Sequence, residues 1–288
     1  MKTRWSRWLV GLAGAIATAG SVSSPAYGAD AAPAPAGAAA ASTGAKAQLP
    51  EPQRGAAEQL TRMTDTLAGL KSFSVVFRDG YDVVQASGQK IEFGETRTVT
   101  VVRPNLMRVE EVSSDGLRDL ALFGGHEISV LDADANVYAQ VPQPGTLDES
   151  LVYFVRELRM RMPLALLFST QLPEALAGRV KTIDYVESTD IVGVPTHHIA
   201  GRTDNVDFQF WVAATGKPLP VRVVITYVQS PGEPQFWATF ARWNETPKIA
   251  ADTFKFTPPA GARKIAFAVQ VRPGAPGQSP AASGEVQP

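Results

Sequence analysis

The stretch "KSFSVVF" at residues 71–77 alternates polar and apolar side chains, which places Phe73, Val75 and Phe77 on one face of an extended segment. "ETRTVTVV" at 95–102 repeats the pattern with Val99 and Val101. A period of two predicts half-buried β-strands. Working outward, further strands are expected at Leu106–Val112, Leu117–Phe123, Glu127–Asp132, Val137–Val141, Ile183–Glu187, His197–Gly201, Asp207–Val212, Arg222–Gln229, Gln235–Trp243 and Phe254–Thr257. Turn chemistry separates them, as in "SSDG" at 113–116, "DADAN" at 132–136 and "ATGKP" at 214–218. Strands this closely spaced pair antiparallel, because a parallel crossover needs about a dozen residues or more.

Helical spacing is rarer. "PEPQRGAAEQLTRMTDTLAGL" at 50–70 carries Leu60, Met63, Leu67 and Leu70 on one stripe ahead of the first strand. "TLDESLVYFVRELRM" at 146–160 opens with a capping box, Thr146 followed three residues later by Glu149, and sets Leu147, Leu151, Phe154 and Leu158 on one stripe. Pro163 ends it, and "LALLFSTQLPEAL" at 164–176 adds one or two shorter helices. This insert interrupts the run of strands, so it reads either as a lid over the sheet or as ordinary core cover.

The 288 residues suffice for a sizeable core, and 44% hydrophobic against 19% charged residues is a globular profile. A net charge of -1, without a basic block interleaved with aromatics, leaves nucleic acid no electrostatic footprint. Lys2, Arg4 and Arg7 precede an apolar run from Leu9 to about Val22, with Ala26 and Gly28 as the small residues of a cleavage site. Residues 1–28 are therefore expected to be a signal peptide and the mature chain to have no stable membrane insertion. Residues 29–55 are an Ala/Pro-rich linker, 56–270 one folded domain and 271–288 a disordered tail. With no Cys there is neither a disulfide nor a thiol-linked lipid anchor.

Catalytic and metal signatures are thin. His197 and His198 are adjacent on an expected strand, so they point to opposite faces and cannot chelate one ion together, and the third histidine, His126, lies far upstream. Asp207, Gln209 and Trp211 share one strand face while Phe208, Phe210 and Val212 share the other. Glu110 and Glu111 likewise diverge and read as a solvated face. No G-x-S-x-G, H-E-x-x-H or phosphate-cradling Gly-rich loop is present. The expectation is a protein that is not an enzyme and holds no cofactor or metal.

Several phrases carry a resemblance. A leading helix followed by "LKSFSVVFRD", then "VRPNLMRVEEVSSDG", "FGGHEISVLDADANVYAQV" and "DTFKFTPPAGARKI", resembles the lipoprotein-localisation-factor (LolA/LolB-like) fold of periplasmic lipoprotein carriers and envelope sensors. "PGTLDESL", "VPTHHIA", "DFQFWV" and "PLPVRVVIT" are closer to a family of predicted periplasmic proteins with that fold, over about residues 56–267. The resemblance implies a mainly β (α+β) fold: a strongly curved antiparallel sheet, an incomplete barrel, with helices covering the concave face. It also implies a periplasmic protein whose cavity takes a hydrophobic ligand, a lipid or a lipoprotein acyl chain. Arg103 matches the Arg-Pro position that helps hold the carriers' lid closed, although the section at 146–180 is longer and more helical than in the carriers. The candidate ligand-binding set is Phe73, Val75, Phe77, Val99, Val101, Phe208, Phe210 and Phe240 on the sheet, Leu151, Phe154 and Leu158 on the insert, and Arg103. Placing Glu at Phe154 is expected to abolish lipid uptake without unfolding the chain. The alternative is an envelope sensor that docks a protein partner, with "KPLP" at 217–220 suited to an exposed edge because proline cannot donate to a ladder.

Overall fold

The computed structural model describes residues 51–190 and 193–267. The signal peptide, residues 29–50 of the linker and the 271–288 tail lie outside the described residues. Helix α1, Glu51–Gly69, starts inside the stretch expected as linker, so residues 51–55 are helical instead. Its stripe of Ala56, Leu60, Met63 and Leu67 is buried.

Among the described residues twelve strands follow in one sheet: β1 Ser72–Val84, β2 Lys90–Val102, β3 Leu106–Ser113, β4 Arg118–Gly124, β5 Glu127–Asp132, β6 Val137–Pro142, β7 Thr182–Thr189, β8 Thr196–Arg202, β9 Asp207–Ala213, β10 Pro220–Thr226, β11 Gln235–Asn244 and the two-residue β12, Arg263–Lys264. The spatial order is β12-β6-β5-β4-β3-β2-β1-β11-β10-β9-β8-β7. Two antiparallel meanders thus join where β11 docks on β1, and only the β12–β6 pair is parallel. The sheet curves without closing, an incomplete barrel with β7 and β12 as its edges. Irregular register at Val76/Phe77, Tyr185/Glu187 and Pro220/Arg222 supplies local bends of the kind bulges produce.

Two expectations are corrected. Phe254–Thr257 is not a strand; the segment runs irregularly across the outer face of β3–β6, where Phe256 packs on Tyr138 and the Thr253 carbonyl accepts from Arg108. Its Pro258–Pro259 pair denies the ladder the donors a strand needs. "KPLP" does not mark an edge either. Pro220 opens β10 and is paired with Val212 of β9, inside the sheet, with Leu219 buried beside it.

Between β6 and β7 the insert forms helix α2, Leu147–Val152, a π-helical turn Tyr153–Glu157, a 3-10 turn Ala165–Phe168 and helix α3, Leu172–Ala177. The capping box is present: Thr146 Oγ1 accepts from Glu149 N at 3.3 Å and Thr146 N donates to Glu149 Oε2 at 2.7 Å. Helix α1 covers β7 and β8, and the insert covers the centre of the same face. Strand alternation therefore has one covered, inner face and one outer face.

Candidate functional site

The inner face is built by parity and register. Phe73 pairs with Val101, Val75 with Val99, and Val99 and Val101 with Val109 and Met107, so these side chains form apolar rows across β1–β3. On the other flank Phe240 faces Phe77, and Phe208 and Phe210 extend the surface onto β9. The insert packs down on it. Phe154 meets Phe123 edge-on at 5.3 Å, and Phe168 lies 6.3 Å from Phe73 and 6.4 Å from Phe77. The structure brings all eleven apolar candidates into one buried cluster, Leu151 and Leu158 included. Phe154 is fully buried. A Glu there would bury a charge in the core, so the expectation that the fold survives it is corrected.

Arg103 follows β2 and reaches over this face. Its Nε donates to the Leu70 carbonyl at 2.9 Å, Nη2 to Leu67 at 3.4 Å and Nη1 to Phe168 at 3.0 Å. Two of these acceptors close helix α1, where the last carbonyls lack helical partners and the dipole favours a cation. The third belongs to the insert. One guanidinium thus ties helix, strand end and insert together. Burial lowers its pKa from the ordinary value, and the Asp148 carboxylate opposes that shift. Asp148 also accepts from Thr170 N at 2.9 Å and from the Thr170 hydroxyl.

A second tie lies further along. The Arg161 guanidinium sits 3.9 Å above the Tyr81 ring, which itself stacks on Phe93. Close to these ties the insert is irregular: Arg159 and Leu164 hold φ of 53° and 62°, a left-handed backbone that bulky residues adopt only at a cost of about 1–3 kcal/mol.

At the end of the apolar rows opposite Arg103, the same parity turns to charge. Phe73, Val75 and Phe77 lead to Asp79; Val101 and Val99 to Arg97 and Glu95; Val109 to Glu111. Arg97 donates to Glu111 Oε2 at 3.1 Å from Nε and at 3.0 Å from Nη2, and to Asp79 and Glu95. All four side chains are at most 8% exposed. Glu111 is therefore buried in an ion cluster, which corrects its reading as part of a solvated face. Burial alone would lower the Arg97 guanidinium, but Glu111, Asp79 and Glu95 outweigh it and hold the group charged. Burial pushes Asp79 up to about 7 against the pull of Arg97, aided by repulsion from Glu95 and Glu111.

The raised Asp79 value gives a stability prediction with a definite sign. The folded chain keeps a proton that the unfolded chain loses between pH 3.8 and about 7, so this group's contribution falls as pH rises through that window. Asp79→Asn should remove the effect. Urea midpoints at pH 5 and pH 8 should show the variant gaining on the parent as pH rises; parallel pH profiles would contradict it.

His197 and His198 occupy opposite faces, as adjacency on a strand requires. His197 Nδ1 lies 2.9 Å from the Tyr185 hydroxyl, while His198 Nε2 lies 3.0 Å from Gln209 Oε1 and its ring stacks on Trp211 at 4.0 Å. Among the described residues no group of three or more His, Cys, Asp or Glu could hold a metal ion, and no helix is long and apolar enough to cross a membrane.

An open, curved antiparallel sheet with helices fastened over an apolar inner face defines a half-barrel protein. The chain belongs to the DUF2092 family of predicted periplasmic proteins, whose model matches residues 56–268. Among curated proteins none matches it. Solved structures of similar architecture include the Mycobacterium tuberculosis lipoprotein LppX, at 19% identity and a TM-score of 0.43, covering 68% of this chain and 99% of that one. The Pseudomonas aeruginosa MucA/MucB complex is 16% identical with a TM-score of 0.38, over 70% of this chain and 61% of that one. A LolA superfamily protein from Nitrosomonas europaea is 10% identical with a TM-score of 0.35, over 70% and 97%. At these identities and scores the likenesses carry no inference about ligand or partner.

Proposed function

We propose that the protein is a non-catalytic periplasmic binding protein that holds an apolar ligand, a lipid or a lipoprotein acyl chain, against the inner face beneath the insert spanning residues 147–177. The observation that carries this reading is the Arg103 tie. The insert is held by the packing of Leu151, Phe154, Leu158 and Phe168 and by the Leu147 N–H bond to the Pro104 carbonyl. In addition, a polar side chain fastens the insert to the end of helix α1 over an apolar surface. Such a contact can open without unfolding the sheet.

The energetics suit reversible loading. Each methylene removed from water contributes ~0.8 kcal/mol, so twelve contribute on the order of 10 kcal/mol before opposing costs. Leu151, Phe154, Leu158 and Phe168 already cover the inner face in the closed state. A ligand replaces them there, so much of the gross gain is exchanged for contacts the insert gives up. The strained backbone at Arg159 and Leu164 raises the closed state and narrows the difference further. Affinity is thereby moderated and release made accessible.

The alternative, an envelope sensor docking a protein partner, would use edge strand β7 for strand addition. The irregular register between Tyr185 and Glu187 blunts that edge, and the lipid reading is preferred. Titrating the delipidated protein with a fluorescent fatty acid tests it: saturable binding displaced by unlabelled fatty acid supports the reading, and absence of saturable binding sinks it.

A further inference from the structure

The outer face carries a second arrangement, independent of the inner-face reading. The C-terminal segment covers only the β3–β6 half of that face. On the uncovered half one row of side chains crosses six strands through direct partners: Thr96, Arg78, Thr239, Arg222, Trp211 and His198. Thr239 thus stands between two arginines on the neighbouring strands, with roughly 10 Å between the Arg78 and Arg222 Cα atoms from strand spacing alone.

Arg222 is held in place. Its guanidinium lies 5.7 Å from the Trp211 ring and 5.3 Å from the Trp237 ring, and Nη1 donates to Thr239 Oγ1 at 2.8 Å. Burial lowers its pKa, with Glu92 opposing, so the cation is partly stripped of water. Neither Arg222 nor Arg78 forms an ion pair among the described residues. Glu92, which lines the same cleft, accepts from Trp237 Nε1 at 3.0 Å. In the next row Gly80 and Gly94 face each other, and the Trp237 ring fills the space over Gly80, where a Cβ would fall 2.7 Å from it. The result is a cleft of about 620 Å³ lined by both arginines, Trp237, the hydroxyl-bearing Thr96, Ser113, Ser114 and Thr239, and three acidic residues: Glu92, and Asp79 and Glu95, whose carboxylates accept from Arg97.

We propose that this outer-face cleft is an oxyanion site that takes a phosphate group, carried either by a soluble phosphoester or by a lipid headgroup. A partly desolvated guanidinium with no carboxylate among the described residues within 4 Å, Glu92 acting on it only from further away, is stabilised by an incoming anion, and Arg is suited to planar, bidentate recognition of its oxygens. Phosphate fits better than carboxylate because the donors converge from opposite sides. One bidentate arginine saturates two coplanar oxygens, whereas a tetrahedral group presents oxygens to Arg78, Arg222 and the hydroxyls between them.

The test uses the full purified chain. Phosphorus NMR titrations with inorganic phosphate and with glycerol phosphate read the soluble source, and co-sedimentation with phosphatidylglycerol vesicles reads the headgroup source. Binding in either arm is expected, weakened at least tenfold by Arg222→Gln and by Arg78→Gln. Arg78 is exposed and outside the aromatic stack, so its variant keeps the test meaningful if the Arg222 variant misfolds. Soluble binding without vesicle binding assigns a phosphoester, and the converse assigns a lipid surface. Absence of binding in both arms, or binding that both arginine variants leave unchanged, overturns the proposal.

Discussion

Replacing Arg97 with Met is expected to destabilise the fold by on the order of 3–5 kcal/mol, enough to unfold a marginal domain. The guanidinium is the charge that Asp79, Glu95 and Glu111 share, and none of the four side chains is more than 8% exposed. Removing it leaves three carboxylates in a low-dielectric site with no compensating cation. They can respond only by taking up protons or drawing in water, and both mean that the fold is less stable at neutral pH. The loss should therefore be largest above pH 7 and shrink in acid, and adding Asp79→Asn to Arg97→Met should recover part of it. Urea denaturation followed by tryptophan fluorescence measures this directly. A stability within about 1 kcal/mol of the parent at neutral pH would mean that the cluster is solvated and that its burial has been misjudged.

Replacing Arg103 with Gln should act on the insert more than on the sheet. Three carbonyls lose a charged donor: Phe168 on the insert, Leu70 just past helix α1, and Leu67 in its last turn, which keeps only the Leu70 N–H at 3.3 Å. Hydrogen bonds to charged groups are worth roughly 1.5–3 kcal/mol, but half-exposed groups recover water, so a total near 2–3 kcal/mol is expected. Hydrogen exchange should localise it: amides of residues 147–177 should exchange at least tenfold faster while β1–β4 keep their protection. Arg103→Lys should fall between, because a single ammonium cannot span carbonyls on two elements as the guanidinium does. Equal exchange in parent and Gln variant would show that packing alone holds the insert, and the latch would be discarded.

Much of this was legible in the chain. Alternation at 71–77 and 95–102 placed Phe73, Val75, Val99 and Val101 on the covered face, and the Thr146–Glu149 pair marked the start of the insert. Continuing the same parity by one or two steps would have led from Phe77 to Asp79 and from Val99 to Arg97, where an apolar row gives way to opposite charges. Glu111 hid because the charged neighbour Glu110 made the pair resemble a solvated face; only the register against Arg97 distinguishes them. The docking of β11 on β1 had no local signal, since pairing between distant strands is set by the whole sheet. "KPLP" misled because proline cannot donate, yet Pro220 sits at a strand start, where that loss is tolerated. The left-handed backbone at Arg159 and Leu164 was equally hidden, for neither residue type favours it.

The central claim is that an apolar ligand lies beneath the insert. The most direct measurement is a native mass spectrum of the protein purified from a bacterial periplasm without detergent, followed by solvent extraction of the same sample. A reproducible excess mass that extracts as a lipid, and is lost more readily from Arg103→Gln, is the predicted result. A clean apo mass, with no uptake when lipids are offered, would contradict the account.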